Sequence, residues 1–369
     1  MKILILATNH KSLAVKMMVK SMNELKVDYD ILNPTQLFLM ISNQQNGRNQ
    51  LFDDYTGKTI RKVDLKNYDI VIPRIGREVD FSCEVLKYLE EVFKMKTIQS
   101  SEAISSAYSK IRTSILLRAN GIRTPKTMYV NKIKNVDVVL KRLSKDCKYV
   151  IKLDKGSKGK QVSIVSGMAE TKSVLDTIGS MSQQLIIQEY IESNGTDIRA
   201  IVAGDEVIAA YQRNAGSQEL RTNISAGGEG ESIELSEEDK VFCIESAKAV
   251  GLEFAGVDLM KSTDGKSYCI EVNHCPGMNV QKFTSINIGK TIVDLAIEKA
   301  KEPSIENLSE SEVQELKLVF DQTFNNVEFK KLYETLKGKV VESKLSGTQT
   351  VIRTKPDLQR LLVGQLVIR

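Results

Sequence analysis

The sequence Gly256-Val-Asp-Leu-Met260 is an apolar run that carries one carboxylate, and Tyr268-Cys-Ile-Glu-Val-Asn273 is a second such run. Asp264-Gly265 between them is a pair that favours the two-residue loop of a β-hairpin. We therefore expect the two runs to be antiparallel neighbours in a sheet. Counting back from the loop places Asp258 opposite Glu271, at a Cβ separation of roughly 4.5–5.5 Å.

A metal site follows from this pairing. Asp258 and Glu271 would repel each other unless a cation lay between them. Asn273 points to the same face as Glu271, because side chains alternate along a strand. Two carboxylates and an amide oxygen suit Mg²⁺ or Mn²⁺ held jointly with phosphate oxygens. A register slipped by one residue would instead turn one carboxylate towards solvent, but the apolar flanks favour a central hairpin.

Antiparallel strands are also expected before this hairpin. Gly204-Asp205 is a second signal for a two-residue hairpin loop, with apolar runs on both sides. The strands expected here are Leu185–Ile191, Asp197–Ala203 and Val207–Gln212. Helices are expected near Glu237–Val250 and at Gly289–Lys301.

The first hundred residues alternate between strand and helix patterns. The expected elements are the strands Ile3–Leu6, Tyr29–Leu32 and Asp69–Ile72 and the helix Ser12–Leu25. Such alternation predicts a parallel sheet with helices on its faces. No G-x-G-x-x-G follows the first strand, so a dinucleotide site is not supported. Asn43–Gly57 is polar and predicts a loop or a β excursion.

The middle of the chain predicts a helix, two strands and a glycine-containing loop. Ser101–Asn120 is expected to be one helix, because apolar residues recur there at helical spacing: Ile104, Tyr108, Ile111 and Ile115. The strands Thr127–Val130 and Tyr149–Leu153 follow, with a helix at Val136–Leu143 between them. Lys152 lies inside an apolar strand, where an unpaired charge is costly to bury. The loop Asp154–Gln161 then offers backbone N–H groups that can approach phosphate closely.

Composition bounds the class of protein. With 369 residues, 41% of them hydrophobic and 27% charged, the chain is expected to form two or three lobes without long disorder. The net charge of +5 is small and there is no basic block, so no nucleic-acid partner is expected. No apolar run is long enough for a membrane helix. The five scattered cysteines form no CxxC pair, which favours a reducing, cytoplasmic location.

Several short motifs occur in an order that resembles the RimK-type glutamate ligases of the ATP-grasp superfamily. The motifs are Pro73-Arg-Ile-Gly76, Gln188-Glu-Tyr-Ile191, Asp197-Ile-Arg199, Gly204-Asp-Glu-Val207, Arg221-Thr-Asn223, and Gly256-Val-Asp258 with Glu271-Val-Asn273 and Pro276-Gly277. The resemblance covers residues 1–301. It implies a mixed α/β and α+β chain with an ATP-grasp fold: a Rossmann-like pre-ATP-grasp lobe (1–98), a central lobe (99–184) and a C-terminal lobe (185–301), followed by an extension (302–369).

The resemblance also implies ligands and residue roles. ATP is held between the last two lobes with two Mg²⁺ or Mn²⁺ ions, which Asp258, Glu271 and Asn273 carry. The residues implied to contact the nucleotide and its phosphates are Lys110, Lys152, Gly156, Ser157, Gly159, Gln188, Glu189, Tyr190, Ile191 and Asp197; Glu189, Tyr190 and Ile191 line the adenine pocket and Asp197 the ribose side. Arg199, Arg221 and Asn223 face the phosphates and an acyl phosphate, and are the catalytic candidates.

The implied activity is ATP-dependent ligation of an amino acid, L-glutamate above all, to a carboxylate of a protein or peptide. Three alternatives stay open at this point: a small-molecule acceptor, ester or amide cross-links within a peptide, and a nucleotide-binding module without turnover. The chain departs from the family in its lysine-rich loop, which carries Lys155, Lys158 and Lys160. His274 follows the metal ligands directly, and we interpret it as structural.

The last segment, residues 302–369, lies beyond the resemblance. Glu302–Lys337 has a helical pattern, and Gly338–Arg369 is basic and predicts short strands. Either this segment is a packed or oligomerising appendage, or it docks an acidic substrate or peptide. A homo-oligomer is expected.

Overall fold

The computed structural model describes residues 1–42, 50–54, 60–130, 148–154, 162–179, 184–214, 229–301, 340–342 and 349–351. Residues 1–300 form one compact unit and residues 301–369 a second. The helix predicted at Val136–Leu143, the loop after Asp154, the motif Arg221-Thr-Asn223 and the helix predicted at Glu302–Lys337 lie outside the described residues. None of the described helices is both long and apolar enough to span a membrane.

A parallel sheet forms the N-terminal part, as the alternating pattern predicts. Its elements in chain order are β1 (Lys2–Ala7), α1 (Leu13–Leu25), β2 (Asp28–Leu32), β3 (Leu37–Met40), β4 (Gln50–Asp54), β5 (Ile60–Lys62), β6 (Ile70–Arg74) and α2 (Val79–Phe93). Strand β1 lies between β2 and β6 and is parallel to both. Strands β3, β4 and β5 form a separate antiparallel sheet, so the described part of the stretch Asn43–Gly57, which is β4, belongs to a β excursion.

The prediction of one continuous helix at Ser101–Asn120 is wrong, because the chain forms two helices there. They are α3 (Ser101–Tyr108) and α4 (Lys110–Ala119). Ser109 between them has an extended backbone, and its hydroxyl caps α4 by accepting a hydrogen bond from Arg112 N. A side chain that caps a new helix satisfies N–H groups that a continuous helix would have bonded internally.

The helix break has two consequences. The expected apolar stripe is not continuous: Ile104 is buried, whereas Ile115 is 58% exposed. Lys110 becomes the first residue of α4, and the Ser109 hydroxyl donates to Asp154 Oδ2 at 3.1 Å. The break thus joins the start of α4 to the end of the strand that carries Lys152.

The central part is a four-stranded antiparallel sheet in the order β7-β10-β8-β9. Its elements are β7 (Thr127–Val130), β8 (Lys148–Leu153), β9 (Val162–Ser166), α5 (Gly167–Gly179) and β10 (Leu185–Glu189). One face is apolar and packs Tyr149 and Ile151 against Ile187. The other face carries Lys152.

A five-stranded antiparallel sheet in the order β13-β12-β11-β14-β15 forms the C-terminal part of the same unit. Its elements are β11 (Thr196–Ala203), β12 (Glu206–Asn214), β13 (Glu229–Ser232), α6 (Glu237–Val250), β14 (Phe254–Lys261), β15 (Ser267–Asn273) and α7 (Ile288–Lys301). Helix α6 covers one face, where Cys243 and Ala247 pack with Leu259. The opposite face carries most of the polar side chains described below.

The hairpin between β14 and β15 confirms the pairing of Asp258 with Glu271 but not the predicted loop. The loop has three residues instead of two, because Ser262 N bonds to Lys266 O at 2.9 Å. Gly265 ends that loop with a φ of +81°, which a residue without a Cβ adopts readily. Strand β15 then carries a bulge at Ile270, which shifts the register back by one residue.

The other predicted hairpin, between β11 and β12, is confirmed with a two-residue loop at Gly204-Asp205. It too contains an irregularity, since the register shifts between Ile201 and Val202. In the extension, the described residues form one antiparallel pair, β16 (Val340–Glu342) with β17 (Gln349–Val351).

Candidate active site

The face of the five-stranded sheet opposite α6 carries a row of polar side chains. Tyr211, Arg199, Asp258 and Glu271 occupy paired positions on four adjacent strands, β12, β11, β14 and β15. Directly paired residues point to the same face of an antiparallel sheet. The register therefore assembles residues from four strands into one row.

Arg199 and Asp258 form the tightest contact of the row. Arg199 Nε donates to Asp258 Oδ1 at 2.6 Å and Nη2 donates to Oδ2 at 2.5 Å, a bidentate arrangement. Both side chains are largely buried. Burial alone would raise the pKa of Asp258, but the Arg199 and Arg213 guanidinium groups outweigh it and hold the pKa below its ordinary value.

Arg213 is a further site residue that the sequence did not indicate. It forms a bidentate pair with Asp197 and lies 3.2 Å from Asp258 Oδ1 through Nη2. The strand was predicted to end at Gln212. A two-residue loop with regular pairing would also place Gln212, and not Arg213, opposite Asp197. The register shift in β12 moves Arg213 into that position, and nothing local in the sequence marks such a shift.

Lys110 joins this row from α4. Its Nζ lies 3.5 Å from Glu271 Oε1 and 3.4 Å from the carbonyl oxygen of Asp154. Glu271 is partly exposed, and Asn273 on the same face donates to Gly256 O at 3.3 Å. Lys110 therefore links the helix break to the predicted metal ligands.

Lys152 is a buried cation on the neighbouring sheet. Its Nζ donates to Gln188 Oε1 at 3.0 Å, and the Gln188 amide donates to Thr127 Oγ1 at 2.8 Å. Burial lowers the pKa of Lys152 to about 8. Its one hydrogen bond in the described part of the chain goes to a neutral amide. An anionic ligand beside this lysine would therefore stabilise its charged form.

The segment expected to line an adenine pocket begins at Glu189, the last residue of β10. Glu189 Oε1 accepts from Lys126 N at 2.9 Å, and Tyr190 N donates to Lys148 O at 3.0 Å. Lys148 Nζ lies 5.2 Å from the centre of the Tyr190 ring, and Ile191 is buried. These residues form the connection from the four-stranded sheet to β11.

Comparison with known proteins gives the family. A family model described as the RimK PreATP-grasp domain matches residues 1–104, and one described as the RimK-like ATP-grasp domain matches residues 107–296. The chain belongs to the RimK-like ATP-grasp family. It is therefore an ATP-grasp ligase, an ADP-forming enzyme that makes carbon–nitrogen bonds, and the expected fold with its pre-ATP-grasp domain is confirmed.

Relatives of this RimK-like protein are found in several bacteria. A probable alpha-L-glutamate ligase of Legionella pneumophila (strain Corby) is 32% identical over 304 residues, which is 82% of this chain and 97% of the relative. A probable alpha-L-glutamate ligase of Picosynechococcus sp. is 30% identical over 296 residues, with 80% of this chain and 94% of the relative covered.

Solved structures share the fold of this RimK-like protein. The ATP-grasp ligase PsnB complexed with its minimal precursor has a TM-score of 0.61 and 20% identity, covering 81% of this chain and 99% of PsnB. The macrocyclase MdnC of Microcystis aeruginosa, bound with precursor peptide MdnA, has a TM-score of 0.60 and 14% identity, covering 81% and 100%. At these identities the likeness shows the fold alone.

The donor set of this RimK-like protein fits a divalent cation that is shared with phosphate. Among the described residues, no group of three His, Cys, Asp or Glu side chains could hold a metal by itself. Asp258, Glu271 and Asn273 supply two carboxylates and an amide, so phosphate oxygens and water would complete the coordination. Glu271 and Asn273 are partly exposed. The oxygens of Asp258 already accept from arginine and would have to be shared.

For six of the predicted site residues the structure leaves the role a prediction. Gly156, Ser157, Gly159, Arg221 and Asn223 lie outside the described residues, and their roles stay predictions. Asp197 is engaged by Arg213, so a contact of Asp197 with ribose also stays a prediction.

His274 connects the metal-ligand strand to the N-terminal part of the unit. Its Nε2 lies 3.0 Å from the carbonyl oxygen of Ile75. Burial lowers the pKa of His274 to about 4, so the ring is neutral and Nε2 carries the proton that it donates.

Proposed function

We propose that this protein joins an amino acid, L-glutamate, to a carboxylate of a peptide or protein through an acyl phosphate formed from ATP. The observation that carries the proposal is the row Arg199, Asp258 and Glu271, which lies beside Lys110. A triphosphate with its metal ions could bridge these cations and carboxylates. Lys110 from a helix, Arg199 from one strand and carboxylate oxygens from two further strands converge on one face. The names of the relatives in Legionella and Picosynechococcus support glutamate as the amino acid.

The nucleotide is proposed to lie between a central lobe (99–184) and a C-terminal lobe (185–301). Lys152 and Lys110 would contact phosphates, since a lysine ammonium is a compact cation suited to phosphate oxygens. Glu189 through Ile191 would line the adenine pocket. Two Mg²⁺ or Mn²⁺ ions would be held by Asp258, Glu271 and Asn273, and would neutralise charge on the phosphates.

The first chemical step is attack by a carboxylate oxygen of the acceptor on the γ-phosphorus of ATP, with ADP as the leaving group. The protein does little covalent chemistry in such a transfer, so positioning and electrostatic stabilisation dominate. Arg199 and Arg213 are the buried cations nearest to Asp258. The Arg199 guanidinium has five N–H groups and its two bonds to Asp258 use two of them, so the others could donate to the transferring phosphoryl group.

The second step is attack by the amine of the amino acid on the acyl carbon. A carbon–nitrogen bond forms, the bond to phosphate breaks, and the amine loses a proton. Arg221 and Asn223 are proposed to face the acyl phosphate, which must be kept from water because it hydrolyses.

The test is a screen of ADP formation with each amino acid, with and without peptides that end in glutamate. The proposal expects ADP release to need both substrates, and the peptide to gain the mass of one glutamyl residue. A peptide that instead loses one water without any amino acid would show cross-linking within the peptide. ADP release that no amino acid stimulates would contradict the proposal.

A further inference from the structure

Arg74 is a buried cation that no carboxylate accompanies in the described part of the chain. It ends β6 and is only 7% exposed. Its Nη2 donates to the carbonyl oxygen of Pro276 at 3.0 Å, and its Cζ lies 5.9 Å from the centre of the Phe254 ring. Its Nε is buried without a hydrogen-bond partner. A buried charge in this condition is costly, and buried polar groups are nearly always paired.

The position of Arg74 connects it to the candidate active site. Pro276, which accepts its hydrogen bond, follows the metal-ligand strand by three residues. Pro276 also packs against Gly256, where an added Cβ would lie 2.9 Å from Pro276 Cβ and 3.8 Å from Arg199 Cδ. Arg74 therefore bonds the carbonyl of the proline whose ring packs on Gly256, and Gly256 lies next to Arg199.

Arg74 also lies where parallel sheets bind ligands. It is the last residue of β6, and β6 and β2 flank β1 on opposite sides. The chain runs from β1 to β2 on one side and later reaches β6 on the other side of β1, so the strand order reverses here. Ligands bind outside the carboxyl ends of strands at such a point. The motif Pro73-Arg-Ile-Gly76, to which the proposed function gives no role, places an arginine at this end.

We propose that Arg74 binds a carboxylate of the amino acid that supplies the amine. This inference rests on the proposed function and assigns its second substrate a site. The acceptor carboxylate must meet the phosphoryl group near Arg199, Arg213 and Asp258. A third buried guanidinium, on a different element and bonded to Pro276 O, is then available to the other anionic substrate. Arginine suits this role because its planar N–H groups match a carboxylate.

The test compares Arg74→Met with wild type in steady-state ADP formation with L-glutamate and an acceptor peptide. Loss of a charge-assisted contact is expected to raise the KM for L-glutamate about ten- to hundredfold. The affinity for ADP and the Mg²⁺ concentration needed for half-maximal activity should stay within about twofold of wild type. Arg77→Met is the matched control, since Arg77 is an exposed arginine on the same segment, and its KM should be unchanged.

The decisive comparison uses donors that lack one carboxylate. With the α-amide or the γ-amide of glutamate, one of the two donors should show no further loss in Arg74→Met, because the contacted group is already gone. An equal loss with every donor, together with weaker Mg²⁺ or ADP binding, would show that Arg74 only supports Pro276, and would overturn the inference. An unchanged KM for L-glutamate would overturn it as well.

Two further arms keep the test decisive. If Arg74→Met does not fold, Arg74→Lys replaces it in the same comparison: a KM increase confined to donors with the carboxylate supports the inference, and an equal effect on all donors overturns it. If the wild type uses another amino acid, glutamate fails as the proposed substrate, and the comparison is made with that amino acid and its amide. If no amino acid serves, calorimetric binding of L-glutamate to the ADP-bound protein must still depend on Arg74, or the inference falls.

Discussion

Asp258 accepts two hydrogen bonds from Arg199 and lies directly opposite Glu271, so one carboxylate belongs to both an arginine cluster and a predicted metal site. Arg213 adds a third contact at 3.2 Å. The two carboxylates of the site therefore differ in kind: Asp258 is buried among arginines, whereas Glu271 is partly exposed beside Lys110.

Asp258→Asn and Glu271→Gln are both expected to abolish Mg²⁺-dependent turnover, but only the first should reduce stability strongly. Asp258→Asn leaves the buried Arg199 without its anion, which costs about 3 kcal/mol or more. Glu271→Gln breaks one partly exposed pair, which is worth about 1 kcal/mol or less. Denaturant unfolding of both variants measures the difference. Near-wild-type turnover in either variant with Mg²⁺ would show that the metal assignment is wrong.

Lys152 is expected to make ATP binding depend on pH in the alkaline range. Its pKa in the folded protein is about 8, so above that pH the free protein loses the positive charge that phosphate requires. Affinity for ATP should fall by up to about tenfold per pH unit above pH 8. Calorimetry of wild type and Lys152→Met across pH 7–10 checks this. In the variant, affinity should be lower by about 1.5–3 kcal/mol at pH 7 and nearly independent of pH.

The same lysine should make the free energy of unfolding rise with pH, whereas it makes ATP affinity fall. Its folded pKa of about 8 lies below the ordinary value of 10.5, so the unfolded chain binds more protons between those two values. The contribution of this group to the free energy of unfolding therefore rises as pH increases from about 8 to 10.5. Urea unfolding should show that rise in wild type and in Lys16→Met, which alters an exposed lysine. If Lys152→Met shows a rise of the same size, groups other than Lys152 cause the pH dependence of stability.

Two glycine substitutions in the same hairpin should separate stability from activity. Gly256→Ala places a Cβ 2.9 Å from Pro276, so the segment after the metal ligands must move, and turnover should fall at least tenfold. Gly265→Ala meets no atom within 4 Å but has a φ of +81°, so it should cost about 1 kcal/mol and leave turnover unchanged. Steady-state kinetics and thermal unfolding of the pair measure both effects. Equal loss of turnover in the two variants would contradict a specific role of the Gly256–Pro276 contact.

Truncation after Lys301 should leave nucleotide binding intact. The first compact unit ends at Ala300, and every described site residue lies within it. Lys96 Nζ donates to Ala300 O, so the truncated chain should keep Lys301 to preserve the end of α7. ADP affinity is expected to be unchanged, whereas oligomer mass or the salt dependence of acceptor KM should change. A folded truncation that no longer binds ADP would show that the extension contributes to the nucleotide site.

Local patterns in the sequence determined the order of elements and the pairing at the centre of the site. The alternating N-terminal pattern predicted the parallel sheet, and two loop signals predicted both antiparallel hairpins. Even the pairing of Asp258 with Glu271 came from counting back from a loop. That count succeeded because the extra loop residue and the bulge at Ile270 displace the register by equal and opposite amounts.

Only the tertiary structure decided which cations surround those carboxylates. The register shift in β12 brings Arg213 to Asp197, and the helix break at Ser109 brings Lys110 to Glu271. Arg74 reaches Pro276 across 202 positions of the chain. Bulges, helix breaks and long-range contacts depend on how whole sheets and helices pack, and that packing overrides local periodicity. The sequence therefore determined the strands that carry the site, while packing determined how its charges are paired.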